Sequence, residues 1–520
     1  MCMCGSTPRL YNADPDPAKG SGTDDGCAAR WIASVASNER TEFGDFQTPP
    51  SLARLVCGLL GRSGVSARSV LEPSCGEGVF LEEAARAFPE VVRFLGFDIQ
   101  PHYVEASRHR MASLGRPVSA EVRLQDFFRV DCTELLRQLD EPLLVIGNPP
   151  WVTNSHLSRL GSRNVPEKAN RDRLRGIDAV TGKSNFDVSQ WMIDRLLESM
   201  RGRCGTLAVL CKTRVARAAL TRAWRDGGPA EAAIYRVDAM LHFGAAVDAC
   251  LLVCRFQSGA KSTRRCALYS DLNAVDPTGE LGYEAGRLVQ DPDRYCRVEH
   301  LAGGGPHRWR SGIKHDCARV LELRRDGTSY WNGLGQRVEV EDESLFPLLK
   351  GSRLARGLTE PDRWLVVPQL SVGADTSRLR DERPRTWNYL ESHAERFDRR
   401  ASTIYRGRSR FSIFGVGEYS FSAWKIAIAG FAKSLRFHKL GLCENRPIVL
   451  DDTCYFLPCS GEKEAELRLS LLNHPMAVSF FSCFVFWDMK RPVTAEILHQ
   501  LDLERLGREV RDASRQCVVG

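Results

Sequence analysis

Four residues, Asn148-Pro149-Pro150-Trp151, follow the apolar run Leu143–Ile146 and carry a specific kind of chemistry. An amine on an aromatic ring is a poor nucleophile, because its lone pair is delocalised into the ring. Two acceptors set against its hydrogens, the Asn148 side-chain oxygen and the Pro149 carbonyl, would favour a more tetrahedral nitrogen able to attack in line. Consecutive prolines fix the backbone and bring no N–H groups to compete for those acceptors. Trp151 adds a face on which a base can stack. What such a reaction needs is positioning and electrostatics, with no covalent intermediate.

A second constellation lies upstream. Glu72-Pro73-Ser74-Cys75-Gly76-Glu77-Gly78 falls between a short apolar run, Ser69–Glu72, and the helical-looking Val79–Ala87. Glycines between a strand and a helix let a ligand approach the backbone at the carboxyl edge of a sheet. Asp98, 22 residues after Gly76 and followed by Ile99, ends the next apolar run. A carboxylate there can take both hydroxyls of a ribose. Asp126-Phe127-Phe128 places an acceptor beside aromatic surface, which suits an adenine ring. A nicotinamide dinucleotide would require G-x-G-x-x-G, but position 81 is Leu. An acid at position 72 would also sit badly beside a pyrophosphate. It suits a cationic ligand, and S-adenosylmethionine carries both an ammonium and a sulfonium. Thr181-Gly182-Lys183-Ser184 imitates the end of a P-loop, yet the required earlier glycine is Ile177 and no strand precedes it.

These residues need strands to hold them. Apolar runs at Ser69–Glu72, Val92–Phe97, Glu121–Leu124, Leu143–Ile146, Thr206–Cys211 and Ala249–Phe256 alternate with helical periodicity. The pattern predicts a mainly parallel α/β sheet with the candidate groups at its carboxyl edge. Val188, Trp191, Met192, Leu196, Leu197 and Met200 share one helix face. We expect a flexible tail over 1–28, a sheet domain over 29–258, a connecting segment over 259–310 and a second, mixed α+β domain over 311–520. The polar stretch from Trp151 to Phe186, with seven basic and three acidic residues, reads equally as a loop over nucleic acid or a solvated insertion.

Composition bounds the function. With 520 residues, 43% hydrophobic and 26% charged, the chain matches globular proteins rather than disordered or collagen-like ones. Its longest apolar stretch, Met476–Trp487, is far short of the ~20 residues that span a bilayer. MCMCGSTPRL lacks the features of a secretory signal, so a cytoplasmic protein is expected. None of the 18 cysteines forms a C-x-x-C pair, which favours reduced, buried thiols over a metal site. The net charge is +7, and the positive excess is concentrated between Leu301 and Leu440, as in a polyanion-binding domain. From Arg396 to Leu440, ten basic residues face only Asp398 and Glu418, with nine aromatics interleaved. Arg406, Arg408 and Arg410 would share one side of an extended strand and reach phosphates or guanine edges. The plainer alternative is a solvated basic face over buried aromatics.

Taken in order, these motifs resemble the S-adenosylmethionine-dependent N6-adenine DNA methyltransferases of restriction–modification systems, in the class with a C-terminal target-recognition domain. Phe46-Gln47-Thr48-Pro49-Pro50 is similar to the motif that opens this class, which implies cofactor contacts from Thr48 and Pro49. Glu72 to Phe80 resembles its D/E-P-x-C-G-x-G-x-F loop, implying roles for Glu72, Pro73, Cys75, Gly76 and Gly78. Asp98 with Ile99, and Asp126 with Phe127, match its ribose and adenine positions. Asn148, Pro149, Pro150 and Trp151 match its catalytic N-P-P-aromatic turn, with Trp the less usual aromatic. Phe243, in HFGAAVDACLLV, matches more loosely an aromatic beside the target base. The resemblance implies a Rossmann-like class I methyltransferase sheet, S-adenosylmethionine as cofactor, and no metal. It implies double-stranded DNA as substrate, base flipping, and a separately encoded restriction endonuclease as partner. A protein glutamine methyltransferase and a DNA-binding subunit without catalysis are the alternatives.

Overall fold

The computed structural model describes residues 47–115, 118–152 and 187–519. The expected tail 1–28, Phe46 and nearly all of the polar stretch after Trp151 lie outside the described residues. Ten strands form the first sheet: β1 (Ser69–Glu72), β2 (Arg93–Asp98), β3 (Ser119–Leu124), β4 (Leu143–Gly147), β5 (Gly205–Lys212), β6 (Glu231–Asp238), β7 (Asp248–Phe256), β8 (Arg265–Tyr269), β9 (Gly279–Glu284) and β10 (Arg287–Val289). Their order is β10-β9-β8-β6-β7-β5-β4-β1-β2-β3. β1 lies parallel between β2 and β4, so the chain changes its direction of travel there and opens a crevice at the strands' carboxyl ends. β7 runs antiparallel between β5 and β6.

Helices cover both faces, among them α1 (Pro50–Arg62), α2 (Val79–Ala87), α3 (Pro101–Ala112), α4 (Cys132–Arg137), α5 (Val188–Ser199), α6 (Thr213–Arg225) and α7 (Ala239–Phe243). Central strands buried on both sides read as continuous apolar runs, and alternate residues feed opposite cores. Val70, Leu144, Ile146, Ala208 and Leu210 pack with α1 and α2. Leu71, Leu143, Val145, Leu207 and Val209 pack with α5 and α6. In α6, Val215, Ala216, Ala219, Leu220, Ala223 and Trp224 are buried at helical spacing, which leaves arginines at the surface.

Two expectations about extent change. β6 was not expected; its ends are charged, and its buried residues, Ala232, Ile234, Tyr235 and Val237, form neither an unbroken apolar run nor a clean alternation. The stretch 259–310, expected to connect domains, instead supplies β8, β9 and β10 to the same sheet. Val289 of β10 is fully buried in one core with Phe480 and Phe481 from the chain's far end.

The second half carries a six-stranded and a four-stranded sheet. The six-stranded sheet includes Glu322–Asp326, Leu345–Leu349 and Arg363–Val366; the four-stranded one includes Trp424–Ala429 and Cys454–Cys459. Inside the former, Glu322 meets Lys350 Nζ at 2.6 Å, His315 Nε2 at 3.4 Å and Arg363 Nη1 at 3.5 Å. Burial by itself would raise its carboxyl, but the hydrogen bonds and charges of His315 and Lys350 win and hold it at about 2. The halves also meet where Arg217 of α6 pairs with Asp488 at 3.0 Å and lies 4.4 Å over the Phe486 ring.

Candidate active site

A cleft opens at the carboxyl ends of β1 to β4. Of the expected residues, Thr48, Glu72, Pro73, Gly76, Asp98, Ile99, Asp126, Phe127, Asn148 and Pro150 line it. Five segments far apart in sequence thus converge on one space. The β-ladder explains four of them, because those segments leave the sheet at the same edge; the fifth, with Thr48, leads into α1.

The loop after β1 is fixed from several sides. Cys75 N donates to the Phe97 carbonyl at 2.8 Å and Gly78 N to the Cys75 carbonyl at 2.8 Å. Gly76 N donates to Asp98 Oδ2 at 2.9 Å, while Gln100 N donates to Oδ1 at 2.8 Å. These two contacts, one to each carboxylate oxygen, aim Asp98 at the cleft. Both glycines have left-handed backbone angles, φ +51° at Gly76 and +78° at Gly78. Their neighbours differ. A Cβ at Gly76 would come within 2.4 Å of Gln47 Oε1 at the cleft wall. At Gly78 it would strike Ser107 on α3, so that glycine serves helix packing and does not line the cleft.

Glu72 is 2% exposed, and its Oε2 has no hydrogen-bond partner among the described residues. Burial, with Asp98 nearby, pushes its carboxyl well above the usual carboxylate range. Asp126 Oδ1 accepts from Phe128 N at 2.9 Å, and Oδ2 faces Arg129 at 3.5 Å. Phe127 is buried in the core, whereas the half-buried Phe128 stands edge to face with Trp191 at 5.0 Å.

Other expected residues sit behind the cleft. Pro49 precedes α1, its carbonyl accepting from Leu52 N at 3.0 Å. Cys75 is buried, and burial raises its thiol. Pro149 is buried beneath the turn. Trp151 is buried too; its Nε1 donates to the Leu210 carbonyl at 3.4 Å. Its ring stands edge to face with Phe243, 5.2 Å between centres and 68° between planes. Phe243 thus meets Trp151 edge on rather than face to face, and neither ring is among the residues that line the cleft.

Phe128, read with Asp126 as adenine surface, does line the cleft, whereas sequence reasoning did not assign Gln47, Ser74, Gln100, Tyr103, Gln125 or Met192 to its wall. Gln100 and Gln125 were the most accessible omissions, each lying just past a strand's carboxyl end. The arginine row is also rearranged. Residues 403–408 form a turn, with Arg408 N donating to the Tyr405 carbonyl at 3.3 Å and Gly407 at φ +68°. An extended strand with three arginines on one side is thus absent from this segment. Arg406 and Arg408 are exposed, while Arg410 is paired with Glu391 and Asp398, both at 3.2 Å. Of the interleaved aromatics, Phe397, Phe411 and Phe437 are buried in cores. Arg400 underpins the turn: it lies 3.6 Å over Tyr405 and donates to the carbonyls of Arg410 and Ser412 at 2.6 and 2.7 Å.

Comparison with known proteins places this geometry. Residues 30–216 match the family described as N-6 DNA Methylase. Type II methyltransferase M.NspV of Nostoc sp. is 40% identical over 474 residues, which cover 91% of this chain and 98% of that one. Type II methyltransferase M.TthHB8I of Thermus thermophilus is 32% identical over 109 residues, 21% of either chain. The structure of the type IIL restriction-modification enzyme MmeI in complex with DNA superposes with a TM-score of 0.51 at 13% identity. That match covers 92% of this chain and 67% of MmeI, and it supports the fold. A relative so similar over nearly its whole length excludes a glutamine-methylating enzyme: the chain belongs to the N6-adenine DNA methyltransferases of restriction–modification systems.

Proposed function

We propose that the cleft holds S-adenosylmethionine and that the Asn148–Trp151 turn holds an adenine extruded from double-stranded DNA. The observation that carries this reading is Glu72, an acid buried at the cleft wall with an oxygen unpartnered among the described residues. A buried carboxylate is costly unless a cation or donors satisfy it, and the cofactor's ammonium would do so. Asp98 would take the ribose hydroxyls, while Asp126 and Phe128 would border the adenine. When bound, S-adenosylmethionine supplies a methyl group made electrophilic by its sulfonium.

The remaining work falls to the chain. Asn148 Oδ1 and the Pro149 carbonyl would accept from the two hydrogens of the target amine and turn its lone pair toward the methyl group. As the nitrogen–methyl bond forms, the methyl–sulfur bond would break with its electron pair left on sulfur as a neutral thioether; neither acceptor is basic enough to keep the proton the amine then loses, which would pass to water. Trp151 would stack on the base, with Phe243 closing one side. An amine inside a duplex is out of reach, so the base must leave the stack. The half of the chain from 311 to 520 would read the sequence, with Arg406 and Arg408 at the DNA. A separately encoded restriction endonuclease would be the partner whose sites this enzyme protects.

The test is transfer of labelled methyl from the cofactor to duplex DNA, followed by nucleoside analysis. Label should appear in N6-methyladenine. Asn148→Ala should lose about 100-fold or more in turnover, the scale of removing a group that orients and polarises the reacting atom. Its cofactor affinity should stay unchanged. Label in 4-methylcytosine or in protein, with none in adenine, would sink the reading.

A further inference from the structure

The proposed base-holding turn has a backbone difficulty. Pro149 and Pro150 bring no N–H groups, so neither can tie the turn to a neighbouring strand in the usual way. β5 supplies the support instead, through two positions spaced by two. Leu210 accepts the Trp151 indole N–H through its carbonyl. Lys212 Nζ donates to the Trp151 carbonyl at 2.8 Å. The tryptophan is gripped at its ring and at its backbone by one strand.

The ammonium makes a second bond, to Asp187 Oδ2 at 2.7 Å. Asp187 has a side chain only 1% exposed, and it also begins α5 by accepting from Ser189 N at 3.2 Å and from the Ser189 hydroxyl at 2.6 Å. Arg214 approaches it at 3.4 Å but is largely exposed. One helical turn further on, Met192 lines the cofactor cleft. Beside the pair, Val188 N donates to the Val152 carbonyl at 2.8 Å. The ammonium and this backbone bond together tie the turn to the helix that forms part of the cofactor wall. A buried ion pair contributes little net stability, but it has strong directional preference.

We propose that Lys212 is a positioning residue for methyl transfer: it holds the Trp151 carbonyl so that the turn keeps one orientation toward the cofactor cleft, with Asp187 aiming and neutralising the ammonium. The proposal rests on the reading of Asn148–Trp151 as the base-holding turn. Lys212→Met keeps the stem and removes the donor; Lys212→Arg keeps a charged donor. Single-turnover methylation by Lys212→Met should fall about tenfold or more, since small misplacements of reacting groups cost rates of this order. Cofactor and DNA dissociation constants should stay within about threefold of wild type, because the loss is confined to the transfer step. With 2-aminopurine at the target position, Lys212→Met should give brighter fluorescence than wild type, as the base stacks less well on a loosened Trp151. Lys212→Arg should recover most of the rate, and Asp187→Asn should fall between Met and wild type.

A Lys212→Met rate within about twofold of wild type would overturn the proposal. So would a loss of cofactor affinity and melting temperature in parallel with rate, or an Arg variant as slow as the Met variant; both outcomes would mark Lys212 as merely structural. Should Lys212→Met fail to fold, the Arg and Asp187→Asn rates decide alone: Arg below Asn would overturn it. The underlying reading fails separately, if Asn148→Ala keeps full turnover.

Discussion

Two glutamates, one in each half of the molecule, are equally hidden and oppositely treated. Glu72 is 2% exposed and Glu322 4%. Glu322 is met by Lys350, His315 and Arg363, and its carboxyl is held at about 2. Glu72 has no such company: burial and a second acid, Asp98, push it up. A buried charge whose partners are internal belongs to the architecture. One with an oxygen unpartnered among the described residues can receive a ligand's donor. The contrast separates an acid closed by an ion network from one that leaves an oxygen open toward a cleft.

The comparison is most vulnerable at Glu322. Glu322→Gln should destabilise the protein by about 2–3 kcal/mol, below the ~3–5 kcal/mol typical of a broken buried pair because Lys350 and Arg363 still reach solvent. Denaturant unfolding should show the loss, while cofactor affinity at the distant cleft stays intact. The pH dependence has a definite sign. A carboxyl lowered on folding stabilises above its ordinary range near ~4, and that stability drains away as pH falls toward 2. The variant should lack this acid-limb loss. An unchanged unfolding midpoint would dissolve the distinction between the two acids.

Glu72→Gln should act in reverse. Losing a charge-assisted hydrogen bond of about 1.5–3 kcal/mol, the protein should bind S-adenosylmethionine about 10–100-fold more weakly by calorimetry. The cofactor-free protein should melt at a higher temperature near neutral pH. The reason is that a carboxyl raised on folding contributes stability below its unfolded value, which is lost as pH rises through the folded one. Unchanged cofactor affinity would mean that the open acid serves another ligand.

The smallest effects belong to the basic turn. Arg406→Ala and Arg408→Ala should each lower the slope of log affinity for DNA against log salt by ~1, or relax one base of the recognised site. Arg410→Ala should do less, because Glu391 and Asp398 already occupy that guanidinium. Equal effects from all three, measured by salt titration, would show that the ion pairs give way on binding.

How legible each half was follows from the same physics. β1 was read from sequence with its observed limits, and β4 within one residue, because strands buried on both faces are short unbroken apolar runs with turns on either side. The residues that meet at the cleft could be read because a parallel sheet delivers every strand end to one edge. Trp151 and Phe243 were named together, but their edge-to-face packing depends on rotamers that spacing does not encode. Lys212 was overlooked because a lysine closing an apolar strand ordinarily marks the point where the chain meets solvent. In the second half, Arg406 to Arg410 failed as an extended row because Gly407 turns the chain. Two of the three partners of Glu322, Lys350 and Arg363, are 28 and 41 residues away in sequence, beyond any local pattern.

One consequence of the shared core around Val289 concerns modular exchange. Hybrid enzymes with new specificities are naturally imagined as a catalytic cassette joined to an interchangeable reader. Here a joint at 258 would strip β8, β9 and β10 from the sheet, and one at 310 would part Val289, Tyr295 and Leu301 from Phe480, Phe481 and Phe484. A separate core, built from Ile313 to Val416 with Val449, is more nearly self-contained. The transplantable piece is therefore an internal insert with two seams, and the chain's last helices travel with the catalytic parent.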